Sequence, residues 1–100
     1  MNWTQCVAEY IGTFVFVLTV MISRNPIVIG LMLVVILMAL GSYSKQSVNP
    51  CVSLAYFLND DLSTSEMLAY IIGQMVAAAL AFYTYKHLYP KIRSSYSVGG

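Results

Sequence analysis

Three long apolar stretches, separated by short polar ones, set the pattern of this chain. The first runs over about residues 4–22, with nothing charged after Glu9, and Ser23-Arg24-Asn25-Pro26 breaks it. Pro26 disfavours helix at Asn25 and suits the first position of a new helix. The second stretch, about 27–43, carries no charge at all. At ~1.5 Å per residue it reaches roughly 26 Å, close to the ~30 Å of a hydrocarbon core. Gly30 and Gly41 would allow close backbone contact along it. The third, about 66–86, opens on Ser63-Thr64-Ser65-Glu66, a pattern in which the serine and the glutamate cap each other's backbone N–H groups. Ala69, Gly73, Ala77 and Ala81 recur along it every fourth residue, a small-residue ridge for tight packing. Trp3 at one end, and Tyr85, Lys86 and Tyr89 at the other, suit a membrane–water interface. His87 reads as a solvated neighbour of Lys86.

Between the second and third stretches the pattern changes. Ser44-Lys45-Gln46-Ser47 is polar, and Asn49-Pro50-Cys51 then opens a short apolar run that ends at Asn59-Asp60-Asp61. Asparagine caps a helix through its side-chain oxygen, and proline fits the first helical turn, where no N–H is needed. A helix over about 50–58 would be roughly 14 Å long, half a hydrocarbon core. Flanked by spanning segments, it predicts a re-entrant half-helix with its positive end near the bilayer midplane. Polar backbone at that depth is tolerated only when buried in protein or lining a wet cavity, so Ser44-Lys45-Gln46-Ser47 is a candidate pore lining, with Asn49, Pro50 and Cys51 at the half-helix opening as further pore candidates. The expected fold is an all-α membrane protein, three transmembrane helices plus one re-entrant half-helix within residues 1–89. A polar, Ser- and Gly-rich tail would follow over 90–100.

Composition supports this reading. Hydrophobic residues make up 59% and charged residues 9%, against about 25% charged in soluble domains. A multi-pass chain in a lipid bilayer is expected. The net charge of +1, with no basic run, gives no footprint for nucleic acid. Cys6 and Cys51 lack metal-type spacing and read as small hydrophobes, so no metal or cofactor is expected. No nucleophile–base pair or phosphate loop is visible, which argues against an enzyme. The N-terminus lacks a basic n-region and a small-residue cleavage site, so the first segment is expected to stay in the mature protein.

Three separated blocks resemble the first half of the aquaporin, or major intrinsic protein, family. Ala8-Glu9-Tyr10-Ile11-Gly12-Thr13-Phe14 is similar to its opening A-E-F-x-G-T-F block. Val48-Asn49-Pro50-Cys51-Val52-Ser53-Leu54-Ala55 is similar to its first N-P-A box, and Tyr70-Ile71-Ile72-Gly73-Gln74 to its Y-I-I-A-Q block. The resemblance implies passive movement of water or small neutral solutes such as glycerol. Asn49 would offer its amide N–H₂ to the solute, and the Lys45, Gln46 and Ser47 carbonyls would lead up to it. Glu9 would hold that loop through backbone N–H groups, with Gln74 supporting it from the third helix. Gln74 also reads as an interhelical strut, Glu9 as an interfacial charge and Lys45 as a loop residue reaching water. Ile29 would occupy the second-helix position of the narrow constriction, where an aromatic residue is usual.

The chain also departs from that pattern. Cys51 stands for the usual alanine, as in the unorthodox branch, Lys45 for a glycine and Ser47 for a histidine. The second N-P-A box, the constriction arginine and three further spans have no counterpart in these 100 residues. A pore would therefore need an inverted second half: a second copy, a separate chain or a further part of the same one. A homo-oligomer is expected. The rival is a non-conducting half-channel remnant that acts as a structural or assembly partner in the membrane. Orientation sets charge against resemblance. A cytoplasmic N-terminus would place Lys45 inside and Arg24, Lys86, Lys91 and Arg93 outside, the reverse of the positive-inside rule.

Overall fold

The computed structural model describes residues 2–96, with side chains through Arg93. Helix α1 spans Trp3–Ser23, α2 Pro26–Leu40, α3 Pro50–Leu58 and α4 Thr64–Tyr96, with a 3₁₀ turn at Gly41–Tyr43 after α2. Three of these helices have the length and apolarity to cross a membrane. The protein is an all-α, multi-pass membrane protein.

The helix starts follow local chemistry. The Asn2 side chain accepts from the Thr4 and Gln5 N–H groups, and the Asn25 side chain from Ile27 and Val28, with Pro26 at the first turn of α2. Ser63 and Glu66 form the reciprocal box at α4: Glu66 N–H donates to Ser63 Oγ at 3.2 Å, and Ser63 N–H to Glu66 Oε1 at 2.9 Å. Such caps each contribute about 1 kcal/mol. α2 ends at Gly41, whose φ of +30° puts it in a conformation that side-chain-bearing residues rarely adopt.

α1 is the central helix: α2 and α4 both pack on it, and α3 packs on α4. Ile36, Leu40 and Val48 form the apolar centre, with Ala8, Phe16, Leu33 and Leu37 around it. α1 packs tightly at Gly12, where an added Cβ would lie 3.0 Å from both Leu40 and Val48 and 3.2 Å from Ile36. Gly30 and Gly41, the positions expected to allow close contact, have open space beside them, as does Gly73. Of the small-residue ridge, Ala77 and Ala81 are fully buried. Gly12→Val is therefore expected to overpack this contact and cost about 1–3 kcal/mol. A thermal-unfolding series in detergent with Gly12→Val beside Gly30→Val checks it, and equal losses would refute the assignment.

The outer faces are apolar. Ile27, Leu31, Val35 and Met38 on α2 are all more than half exposed, so α2 needs lipid or another apolar surface around it.

α4 differs from expectation at its end. The sequence pattern ends the span near 86 and begins a polar tail at 90, whereas the helix continues through Pro90 to Tyr96. Proline removes one i→i−4 bond, here the one to the Lys86 carbonyl. Contacts one turn apart support the continuing helix: Tyr85 stacks on Tyr89 at 5.3 Å, Tyr83 on His87 at 6.3 Å, and Lys86 Nζ lies 6.0 Å from the Phe82 ring centre. The part of the expected tail beyond residue 96 lies outside the described residues.

Candidate functional site

The loop between α2 and α3 is held from inside by one carboxylate. Glu9, on α1, is 1% exposed. Its Oε2 accepts from the Ser44 hydroxyl at 2.7 Å and the Ser47 N–H at 3.0 Å. Its Oε1 accepts from the Val48 N–H at 2.7 Å and the Gln74 amide at 3.0 Å. Four donors converging on two oxygens suit an acceptor-only carboxylate. Such charge-assisted bonds are roughly twice as strong as neutral ones.

That strength has work to do in the loop. Gln46 and Val48 have φ of +59° and +45°. A β-branched residue in the left-handed region is strained by about 1–3 kcal/mol. Val48 is held there by its bond to Glu9 and by burial among Ile36 and Leu40. Two further loop N–H groups are paired: Lys45 N–H donates to the Tyr70 hydroxyl at 3.3 Å and Gln46 N–H to Ser44 Oγ at 2.9 Å. The carbonyls of Lys45, Gln46, Ser47 and Val48 accept no hydrogen bond among the described residues.

A second layer comes from α3 and α4. The Ser47 and Ser53 hydroxyls lie 2.6 Å apart, and Ser53 donates to Gln74 Oε1 at 3.1 Å. Gln74 Nε2 reaches Ser47 Oγ at 3.4 Å as well as Glu9. Gln74 thus ties α4 to α1, the loop and α3 at once. Ser47, Ser53 and Gln74 are all buried.

Asn49 sits at the opening of α3. Its Oδ1 accepts from the Cys51 N–H at 2.8 Å. An amide N–H₂ could not face that donor, so the cap itself turns the amide nitrogen outward. That nitrogen has no partner among the described residues. Gln46, Ser47 and Asn49 line a groove of about 280 Å³ whose apolar wall is Phe16, Leu33, Leu37, Val52 and Tyr56. Pro50 occupies the first turn of α3 behind them.

The remaining expected residues fall elsewhere. Ile29 lies on α2 outside this groove, whose α2 residues are Leu33 and Leu37. Lys45 and Cys51 are exposed and are not part of its wall. Ser44, part of the loop expected to line a pore, belongs to the network, as do Ser53 and Tyr70, for which the sequence suggested no site role. Ser53 carries a legible signal: a hydroxyl four residues after Asn49, one helical turn on. Tyr70 carries none, because an aromatic residue near a helix start also reads as an interfacial anchor.

The position of Cys51 gives a direct test. It is exposed beside the α3 cap, whereas Cys6 is partly buried on α1. A small membrane-impermeant thiol reagent is expected to modify Cys51 several-fold faster than Cys6 in reconstituted vesicles. Mass spectrometry of the labelled peptides measures this. Labelling confined to Cys6 would rule out an aqueous approach to the cap.

A buried carboxylate that holds the loop before a short capped helix, beside three helices of membrane-crossing length, belongs to an all-α membrane protein. The chain belongs to the major intrinsic protein family. The family model described as Major intrinsic protein matches residues 1–98. Aquaporin AqpM of Methanothermobacter marburgensis is 35% identical over 86% of this chain and 41% of its own length. Aquaglyceroporin AqpS of Rhizobium meliloti is 35% identical over 84% of the chain and 42% of its own length. Glycerol uptake facilitator protein-like 6 of Lactiplantibacillus plantarum is 31% identical over 74% of the chain and 38% of its own length. The chain therefore spans about two fifths of the length of these relatives. No solved structure matches the chain significantly.

Proposed function

We propose that the chain forms one half of a transmembrane channel for passive movement of water or small neutral solutes such as glycerol. The observation that carries this reading is the run of carbonyls at Lys45–Val48, unpaired among the described residues, beside the outward amide of Asn49. Backbone carbonyls must find partners, and at membrane depth water or a hydroxyl solute supplies them. The apolar wall of Phe16, Leu33, Leu37, Val52 and Tyr56 faces that polar strip. A permeating molecule would hydrogen-bond along one side only and pass the other without being held. The names of the relatives, an aquaporin, an aquaglyceroporin and a glycerol uptake facilitator, support this class of solute.

In this reading α3 is re-entrant. Its N-terminus, capped by Asn49, places the positive end of the helix dipole at the solute path, where it opposes cations and protons. Glu9 and Gln74 are positioning residues for the loop, and Ile29 belongs to a constriction completed elsewhere. The groove is open on one side, so an inverted second half closes the pore: a second copy, a separate chain or a further part of the same one. Oligomerisation in the bilayer covers the apolar outer face of α2.

Stopped-flow osmotic swelling of vesicles reconstituted with the chain tests the proposal. Swelling several-fold faster than in protein-free vesicles, without proton leakage, is the expected result. Swelling no faster than lipid alone would overturn a self-sufficient channel and leave the non-conducting remnant as the reading of the chain by itself.

A further inference from the structure

One side chain ties two walls of the groove together. Gln46 belongs to the loop wall with Ser47 and Asn49, and Leu37 to the α2 wall with Leu33. The Gln46 Nε2 donates to the Leu37 carbonyl at 2.8 Å, so the glutamine reaches across from one wall to the other. A carbonyl only accepts, which fixes the amide with its nitrogen on Leu37 and leaves Oε1 as the free end. Oε1 has no partner among the described residues. It adds a side-chain acceptor to the unpaired backbone carbonyls of Lys45–Val48.

The fold does not depend on this bond. The Leu37 carbonyl already accepts the Gly41 N–H at the end of α2 and takes Gln46 as a second donor. Ser47 and Val48 are held by Glu9, and the Gln46 backbone N–H by Ser44 Oγ. The residues of that clamp, Glu9, Ser47, Ser53 and Gln74, are buried, whereas Gln46 is exposed. Its φ of +59° lies where glycine sits without strain. A long polar side chain at a position that suits glycine, bonded to a carbonyl already partnered, acts on the groove more than on the packing.

We propose that Gln46 is a specificity-determining latch of the solute path. The proposal rests on the channel reading. Water passes beside the latched side chain and pairs with Oε1 on the way. A bulkier polyol such as glycerol must break the bond to Leu37 and swing the amide aside. The width of a path and the donors and acceptors along it set its selectivity. The penalty on the larger solute is one net hydrogen bond, about fivefold in rate.

Stopped-flow measurement of water and glycerol permeability, on the same vesicles reconstituted with the chain, tests it. Gln46→Gly removes the side chain and suits the backbone, so its unfolding temperature is expected to be no lower than that of wild type. Its glycerol-to-water permeability ratio is expected to rise about fivefold, with water permeability changed by less than about twofold. Gln46→Met keeps the length but cannot donate to Leu37, and is expected to raise the ratio by a smaller factor. A ratio unmoved in either variant while water still passes would overturn the latch and leave the channel reading standing. No water flux through the wild-type chain would overturn the reading of the chain as a self-sufficient channel, and the latch with it. Should the variants fail to insert, hydrogen exchange of the wild-type chain followed by NMR in detergent decides. The Gln46 side-chain amide is expected to exchange several-fold more slowly than that of Gln5, whose nitrogen has no partner among the described residues. Equal exchange at the two would overturn the latch.

Discussion

Glu9→Gln is expected to cost about 3–5 kcal/mol and to lower the unfolding temperature in detergent by about 10 °C or more. Glutamine keeps one oxygen and replaces the other by N–H₂. Each Glu9 oxygen accepts a backbone N–H, Ser47 on one and Val48 on the other. Whichever way the amide turns, one buried backbone N–H therefore faces another donor. The Ser44 hydroxyl can rotate away, but the N–H groups cannot. The loss falls on the strained part of the loop, because Val48 keeps its φ of +45° only while its N–H is held. Glu9→Asp, one methylene shorter, is expected to fall between glutamine and wild type. Thermal unfolding followed by circular dichroism measures both. A Glu9→Gln protein that unfolds within about 2 °C of wild type would show that the carboxylate does not hold the loop.

Asn49 separates two roles that one alanine would remove together. Asn49→Ala loses the cap to Cys51 N–H, worth about 1 kcal/mol, and the outward amide donor. Asn49→Asp keeps a capping oxygen, since aspartate caps as well as asparagine, but offers solute an acceptor and a charge in place of N–H₂. The expected result is near-wild-type stability for the aspartate variant with solute flux per inserted molecule reduced roughly tenfold, the effect of about 1.4 kcal/mol at the barrier. The alanine variant should lose both flux and stability. Flux and membrane abundance measured on the same vesicles distinguish these outcomes. An aspartate variant with wild-type flux would leave Asn49 as a helix cap and nothing more.

Much of the fold is local, and local features are legible in one dimension. Pro26 after Asn25, Pro50 after Asn49 and Ser63 with Glu66 each specify a helix start through contacts within three residues. The absence of charge over 27–43 requires an apolar surround whatever the packing. The end of α4 was less legible. Proline usually stops a helix, and the ring stacking in the turns that precede Pro90 exists only in the folded helix.

What only the tertiary structure decided is where distant polar groups meet. Glu9 lies 35 to 65 residues from the partners it accepts from. No periodicity encodes such pairings; the resemblance to a family suggested a carboxylate for the loop but not the four donors or their distances. The same holds for Gly12. Three glycines in apolar helices look alike in sequence, and only the approach of Leu40 and Val48 to within 3.0 Å of its would-be Cβ singles it out. Ser53 and Tyr70 entered the network for the same reason, because a hydroxyl's partner depends on which helices pack together. The sequence by itself determined the class of protein, the helix starts and the polar interruption between spans, since these follow from hydropathy and short-range capping. The clamp on that interruption, the strain it holds in place and the groove beside it depend on contacts between α1, the loop, α3 and α4, and those exist only once the helices have packed.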